Sequence, residues 1–149
     1  MYTLRHCRSF SRIPLREWWE CQIHEQTDLQ CGQAVLAMIT GIPVGEVIRE
    51  LNNHRETNLK EMKEFLRKHH CWISDVRVSL TEKTELPELC LLSLETPRCW
   101  HWSLFYNDVF YDPEHGVMTD FPVSGRKYFW EIKKLHSAHY PNDAPGGIQ

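Results

Sequence analysis

The chain has 149 residues, 42% of them apolar, which matches the size of one domain and suffices for one core. Its 17 Lys and Arg against 20 Asp and Glu give a formal charge of -3, so it offers no basic footprint for nucleic acid or an anionic membrane. No apolar run approaches the roughly 20 residues that span a bilayer, and the start MYTLRHCRSFSRIPLREWW lacks the apolar core of a signal peptide, so no membrane insertion is expected, and the location expected is cytoplasmic or exported without a cleavable signal peptide.

Residues 1–20 read as a surface arm ahead of the first regular element. Asp28 is placed to cap a helix that runs through LQCGQAVLAMIT to Gly41, with Pro43 beyond it as a stop. Ala34, Val35, Leu36, Ala37, Met38 and Ile39 make that helix apolar on every side, which predicts burial rather than a surface position. A second helix from Pro43 carries Val44, Val47, Ile48 and Leu51 on one face. A third begins at Asn58, whose partner Glu61 completes a capping-box pattern, and presents Leu59, Met62, Phe65 and Leu66. From residue 72 the pattern changes to strand-like runs, WISDVRVSL, ELCLLSLE, WHWSLFY and VFYD. Helices first and strands second predict an α+β fold with an antiparallel sheet. No repeat or linker interrupts the chain before PNDAPGGIQ, so 1–149 reads as a single domain with 141–149 as a disordered tail.

The six cysteines come without an export signal, which favours reduced thiols over a disulfide framework. Cys71 beside His69 and His70, and Cys99 near His101, lack the C-x-x-C or H-x-x-x-H spacing of a zinc site. No metal and no cofactor are expected. Cys31 stands out because it falls in the first turn of the helix capped at Asp28. There the unpaired N–H groups and the helix dipole favour a thiolate, and Gly32 beside it permits close approach. The competing reading is a small buried residue in an apolar helix. Trp18, Trp19, Trp100, Trp102 and Trp130 read as core or groove-lining aromatics.

His101 is the candidate base for Cys31. A hairpin with a two-residue turn at Asn107-Asp108 pairs Tyr106 with Val109, Phe105 with Phe110, Leu104 with Tyr111 and Ser103 with Asp112. Opposed residues share a face, as do residues two apart, so His101 and Asp112 become diagonal neighbours within reach of each other. The same pleat sends Trp100, Trp102 and Leu104 to the other side, against the core.

The segments QTDLQCGQAVLAMITGIPVGEV and HWSLFYNDVFYDP together resemble the small papain-like cysteine peptidases of bacteria, a group that includes the peptidase domains of bacteriocin exporters. The resemblance covers about residues 24 to 116. It rests on Cys31-Gly32, the helix with its Gly41-Ile42-Pro43 exit, His101-Trp102 and Asp112-Pro113, in that order. It implies a papain-like fold and a cysteine hydrolase without cofactor: Cys31 attacks, His101 shuttles the proton, Asp112 orients the imidazole and Gln26 completes the oxyanion hole. The spacing from Gln26 to Cys31 is one residue shorter than in many relatives, and Gln30 stands where the exporter domains carry Asp. Gln22, Gln30 and His24 therefore stay open as oxyanion donors. The implied partner is a protein or peptide substrate, cleaved at a peptide bond or deamidated at a glutamine side chain. The reading from another class is a catalytically idle papain-like binding module.

Overall fold

The computed structural model describes residues 30–97 and 99–135. Three α-helices come first, α1 (Cys31–Thr40), α2 (Val44–Leu51) and α3 (Leu59–Lys68). The strands follow: β1 (Cys71–Ile73), β2 (Val78–Ser79), β3 (Leu89–Glu95), β4 (Trp100–Tyr106), β5 (Val109–Asp112), β6 (Gly116–Met118) and β7 (Lys127–Lys134). Every pairing is antiparallel, in the order β1-β7-β3-β4-β5-β6 with β2 beside β7. The chain is therefore an α+β protein with helices ahead of an antiparallel sheet. Among the described residues no single helix is long and apolar enough to cross a membrane. The expected arm at 1–20, Asp28 and the tail at 141–149 lie outside the described residues.

α1 has no polar face, and every residue from Gly32 to Thr40 is buried. It lies between β4 on one side and α2 and α3 on the other. Its one hydroxyl, on Thr40, donates to the Leu36 carbonyl at 2.7 Å, which satisfies it inside the core. The helix ends at Gly41, which takes the left-handed conformation at φ 82° and donates its N–H to Ala37. From β7, Lys134 Nζ donates to the Ile39 carbonyl at 2.9 Å, placing a cation at the negative end of the helix. α3 opens with the expected reciprocal cap: Glu61 N–H donates to the Asn58 side chain, and Asn58 N–H donates to Glu61.

β3 is covered on both faces. Leu89 and Leu91 join Leu104, Tyr111, Trp130 and Ile132 beneath the helices, whereas Cys90, Leu92 and Leu94 join Phe105, Phe110 and Phe129 on the reverse side.

Several sequence expectations change here. α1 starts at Cys31 with Gln30 as its N-cap, not at a cap on Asp28, so Cys31 is the first helical residue rather than the third. The cause is a contact distant in sequence: Gln30 has φ -108° and ψ 25°, and its amide reaches away to the His54 carbonyl, 24 residues on. The run WISDVRVSL forms two short strands instead of one. Ser74 breaks it by turning its hydroxyl onto Val76, whose N–H donates to Ser74 Oγ at 3.0 Å. β6 and β7 were not anticipated, although β7 is the strand on which β1, β2 and β3 assemble. Trp100 lies outside the core; it opens β4, is 46% exposed and stacks on Tyr128.

Gly32 follows the start of α1 at a point of close contact. A Cβ there would overlap Thr57 Oγ1 and press on Met62 Sδ at 3.2 Å. Gly32→Ala should destabilise the protein by about 1–3 kcal/mol through overpacking, in urea denaturation. Adding Thr57→Ala should return a good part of that loss, because the two sites are coupled. Additive losses in the double variant would place the strain elsewhere.

Candidate active site

α1, β4 and β5 each deliver one of the three side chains expected to act together. Cys31 opens α1, half-buried, where the first-turn N–H groups have no partner within the helix. His101 is the second residue of β4, and Asp112 is the last of β5. The hairpin between these strands has the deduced register, with Tyr106 opposite Val109, Phe105 opposite Phe110 and Leu104 opposite Tyr111. Asn107 and Asp108 both adopt positive φ, 50° and 74°, as a two-residue turn of this hand requires.

Continuing that register carries Asp112 to Ser103, whose hydroxyl donates to Asp112 Oδ2 at 2.8 Å. On the diagonal, His101 Nε2 meets Asp112 Oδ1 at 2.8 Å. Cys31 lies near enough to the same imidazole to help raise its pKa. With Nε2 committed to Asp112, Nδ1 is the nitrogen left to exchange a proton.

Asp112 is fully buried, yet its surroundings keep it charged. Burial opposes the charge, but hydrogen bonds from His101, Ser103 and the His115 backbone outweigh it and bring the carboxyl down to about 2. Its Oδ1 also accepts from the N–H groups of Glu114 and His115, at 2.9 and 3.0 Å, and from His115 Nδ1 at 3.0 Å. Because an ionised carboxylate only accepts, both imidazoles must donate to it. Burial would lower the pKa of His101, but its hydrogen bonds to Asp112 and Cys31 prevail and raise it to about 10. The imidazole is thus held as a cation beside the Asp112 carboxylate, with the Cys31 sulfur nearby.

The start of α1 is held from the side by the segment between α2 and α3. Gln33 Nε2 donates to the carbonyls of Asn53 and Arg55, at 2.9 and 2.7 Å, and Gln30 Nε2 donates to that of His54 at 3.2 Å. Trp102 Nε1 donates to the Thr57 carbonyl at 3.1 Å, tying β4 to the same segment. Gln30, one of the open oxyanion candidates, therefore has one amide hydrogen engaged in holding the loop. Gln26, Gln22 and His24 lie outside the described residues.

Sequence reasoning missed two partners of Asp112. Ser103 was already its cross-strand neighbour in the hairpin register, so its hydroxyl could have been assigned. His115 was legible only as a residue three positions after Asp112, in a turn whose conformation the sequence does not dictate. The other described thiols differ from Cys31: burial raises the pKa of both Cys71 and Cys90, and Cys99 is exposed.

Comparison of the chain with family models, curated proteins and solved structures finds no match.

The Asp112 cluster sets a pH dependence. An unfolded aspartate titrates near ~3.9, so its pairing contributes stability above about pH 4 that is lost as the pH falls toward 2. An unfolded histidine titrates near ~6.5, so the pairing of His101 contributes fully below that pH and is lost as the pH rises toward 10. Asp112→Asn should flatten both limbs when urea stability is measured at about pH 3, 6 and 9. A variant curve parallel to that of the wild type would remove Asp112 from this role.

Proposed function

We propose that the chain is a papain-like cysteine hydrolase that cleaves an amide, by preference a peptide bond, through a thioester on Cys31. The observation that carries this reading is the row Cys31–His101–Asp112, in which His101 Nε2 meets Asp112 Oδ1 at 2.8 Å and Cys31 lies near the same ring, assembled from a helix start and two adjacent strands. A nucleophile, a proton carrier and an orienting carboxylate in that order are what acyl transfer requires. The fold expected of such enzymes also has its nucleophile at the start of a buried helix packed on an antiparallel sheet.

In the proposed cycle the Cys31 sulfur, with its proton already on His101, attacks the substrate carbonyl. Negative charge then moves to the carbonyl oxygen, near the Cys31 backbone N–H, with Gln26 as the expected second donor. His101 Nδ1 gives its proton to the departing amine as the C–N bond breaks, leaving an acyl thioester. The neutral imidazole next takes a proton from water, whose oxygen attacks the thioester and releases the acid. The sulfur and the imidazolium return to their starting state. Throughout, Asp112 keeps Nε2 protonated so that only Nδ1 exchanges protons.

Cys31 should be alkylated by iodoacetamide at about pH 6 far faster than the other five cysteines, since an ordinary thiol with pKa ~8.5 is protonated there. His101→Ala should abolish the difference, and equal labelling of all six by mass spectrometry would sink the assignment. In a screen of peptides and glutamine-containing proteins that detects new amines and ammonia, Cys31→Ala should be inactive.

The orienting role makes a graded prediction. Asp112→Ala should lower turnover strongly but less than Cys31→Ala. Asp112→Asn should be milder, because an amide oxygen still accepts from Nε2. Asp108, exposed in the hairpin turn and paired with Lys83 at 3.0 Å, should tolerate Ala with no change in kcat. Inactivation by Asp108→Ala alongside an active, folded Asp112→Ala would refute the orienting role.

A further inference from the structure

We propose that His115 is a positioning residue for the Asp112–His101 pair: its ring N–H takes a share of the carboxylate oxygen that receives His101 Nε2, and so limits how firmly Asp112 holds the imidazolium. Its meaning for catalysis rests on the hydrolase reading; the coupling of two rings through one oxygen does not.

Both rings meet the same atom. His101 Nε2 lies 2.8 Å from Asp112 Oδ1 and His115 Nδ1 lies 3.0 Å from it, while the N–H groups of Glu114 and His115 reach that oxygen at 2.9 and 3.0 Å. Oδ2 takes the Ser103 hydroxyl at 2.8 Å. An ionised carboxylate has about four lone-pair sites over its two oxygens, so four donors on Oδ1 divide what two would fill. Two of the three competitors with His101 are backbone groups fixed by the turn after β5. The third is a side chain, which substitution can remove without altering the path of the chain.

The influence of His115 runs through that oxygen rather than through ring stacking. The two ring planes lie at 87° with centroids 6.3 Å apart, and His115 is 44% exposed while His101 is buried. Each donor that stabilises the charge on Asp112 makes the carboxylate a weaker acceptor for the next. With His115 in place the carboxyl stands at about 2 and the imidazole at about 10. Removing the ring leaves Asp112 more basic and His101 more firmly protonated. A proton donor gains strength as its pKa falls toward the working pH, so holding His101 back from a tighter bond serves its proton transfer to the departing amine. The other titratable groups near His101 among the described residues are Cys31 and Glu114, one of whose oxygens lies within 4.8 Å of a nitrogen of each ring; both are kept in every variant below.

The test is the titration of His101, followed by NMR at its labelled imidazole carbon in the full chain and assigned with His101→Ala. In His115→Phe and His115→Ala the midpoint should move up by about half a pH unit. In His115→Asn, whose side-chain amide can place an N–H where Nδ1 stood, it should return to the wild-type value. A purely structural role has the opposite sign, since a loosened Asp112 would let His101 fall toward the ordinary ~6.5. A midpoint unmoved or lowered when the ring is removed overturns the sharing of Asp112. So does one that His115→Asn leaves as high as His115→Phe does. Iodoacetamide labelling at about pH 6 keeps the two readings apart. A Cys31 no more reactive than the other five cysteines counts against the hydrolase, while the midpoints still decide whether His115 shares Asp112 with His101.

Discussion

A fully buried, ionised carboxylate organises this molecule. Removing an ion from water costs several kcal/mol even after the protein relaxes, so Asp112 is tolerable inside only because donors surround it. Five hydrogen bonds reach it: one from His101, one from Ser103, two from successive backbone N–H groups and one from the His115 ring. These donors come from β4 and from the turn that follows β5. The hairpin register, the path of the chain after Asp112 and the orientation of His101 are therefore one problem with one solution. A slip of β5 by one residue would turn Asp112 to the opposite face and leave the charge unmatched.

The second constraint comes from α1. A helix with no polar face must be enclosed along its whole length, and its first-turn N–H groups then emerge at a fixed place beside β4. Gln30, Gln33 and the close contact at Gly32 hold the segment before α3 against that end, and Trp102 ties the same segment to the strand that carries His101. Cys31 and His101 are thus positioned by packing that extends well beyond their own contact.

What was legible in the sequence is what short-range chemistry decides. Asn107-Asp108 can adopt positive φ, so it sets a two-residue turn, and the turn alone puts His101, Ser103 and Asp112 on one face. Asn58 with Glu61, and Gly41 ahead of Pro43, mark helix ends through local hydrogen bonds and conformational preference. The rest depends on contacts distant in sequence. Gln30 replaces Asp28 as the N-cap where its amide is drawn to His54, 24 residues on. β7 shows no clean alternation, because its neighbours Phe129 and Trp130 are each buried, on opposite faces of the sheet. Its charged ends hide a strand whose order in the sheet no local rule supplies. His115 finds Asp112 only because the turn carries it back.

The balance of charges also bears on which step His101 serves first under the hydrolase reading. The sequence alone suggests a base that takes the proton of Cys31 at the moment of attack. With Asp112 and Cys31 together raising its pKa to about 10, the imidazole is protonated at neutral pH before any substrate arrives. Its first act is then as an acid toward the leaving amine. It becomes a base only in the second half of the cycle, toward water. That order assigns Asp112 two opposed effects, since the charge that stabilises the imidazolium also weakens it as an acid. The helix start relieves the opposition: the first-turn N–H groups of α1 open beside the Cys31 sulfur and favour negative charge that develops there. The imidazole, held to Asp112 through Nε2 at 2.8 Å, keeps its other nitrogen for the proton that moves in the reaction.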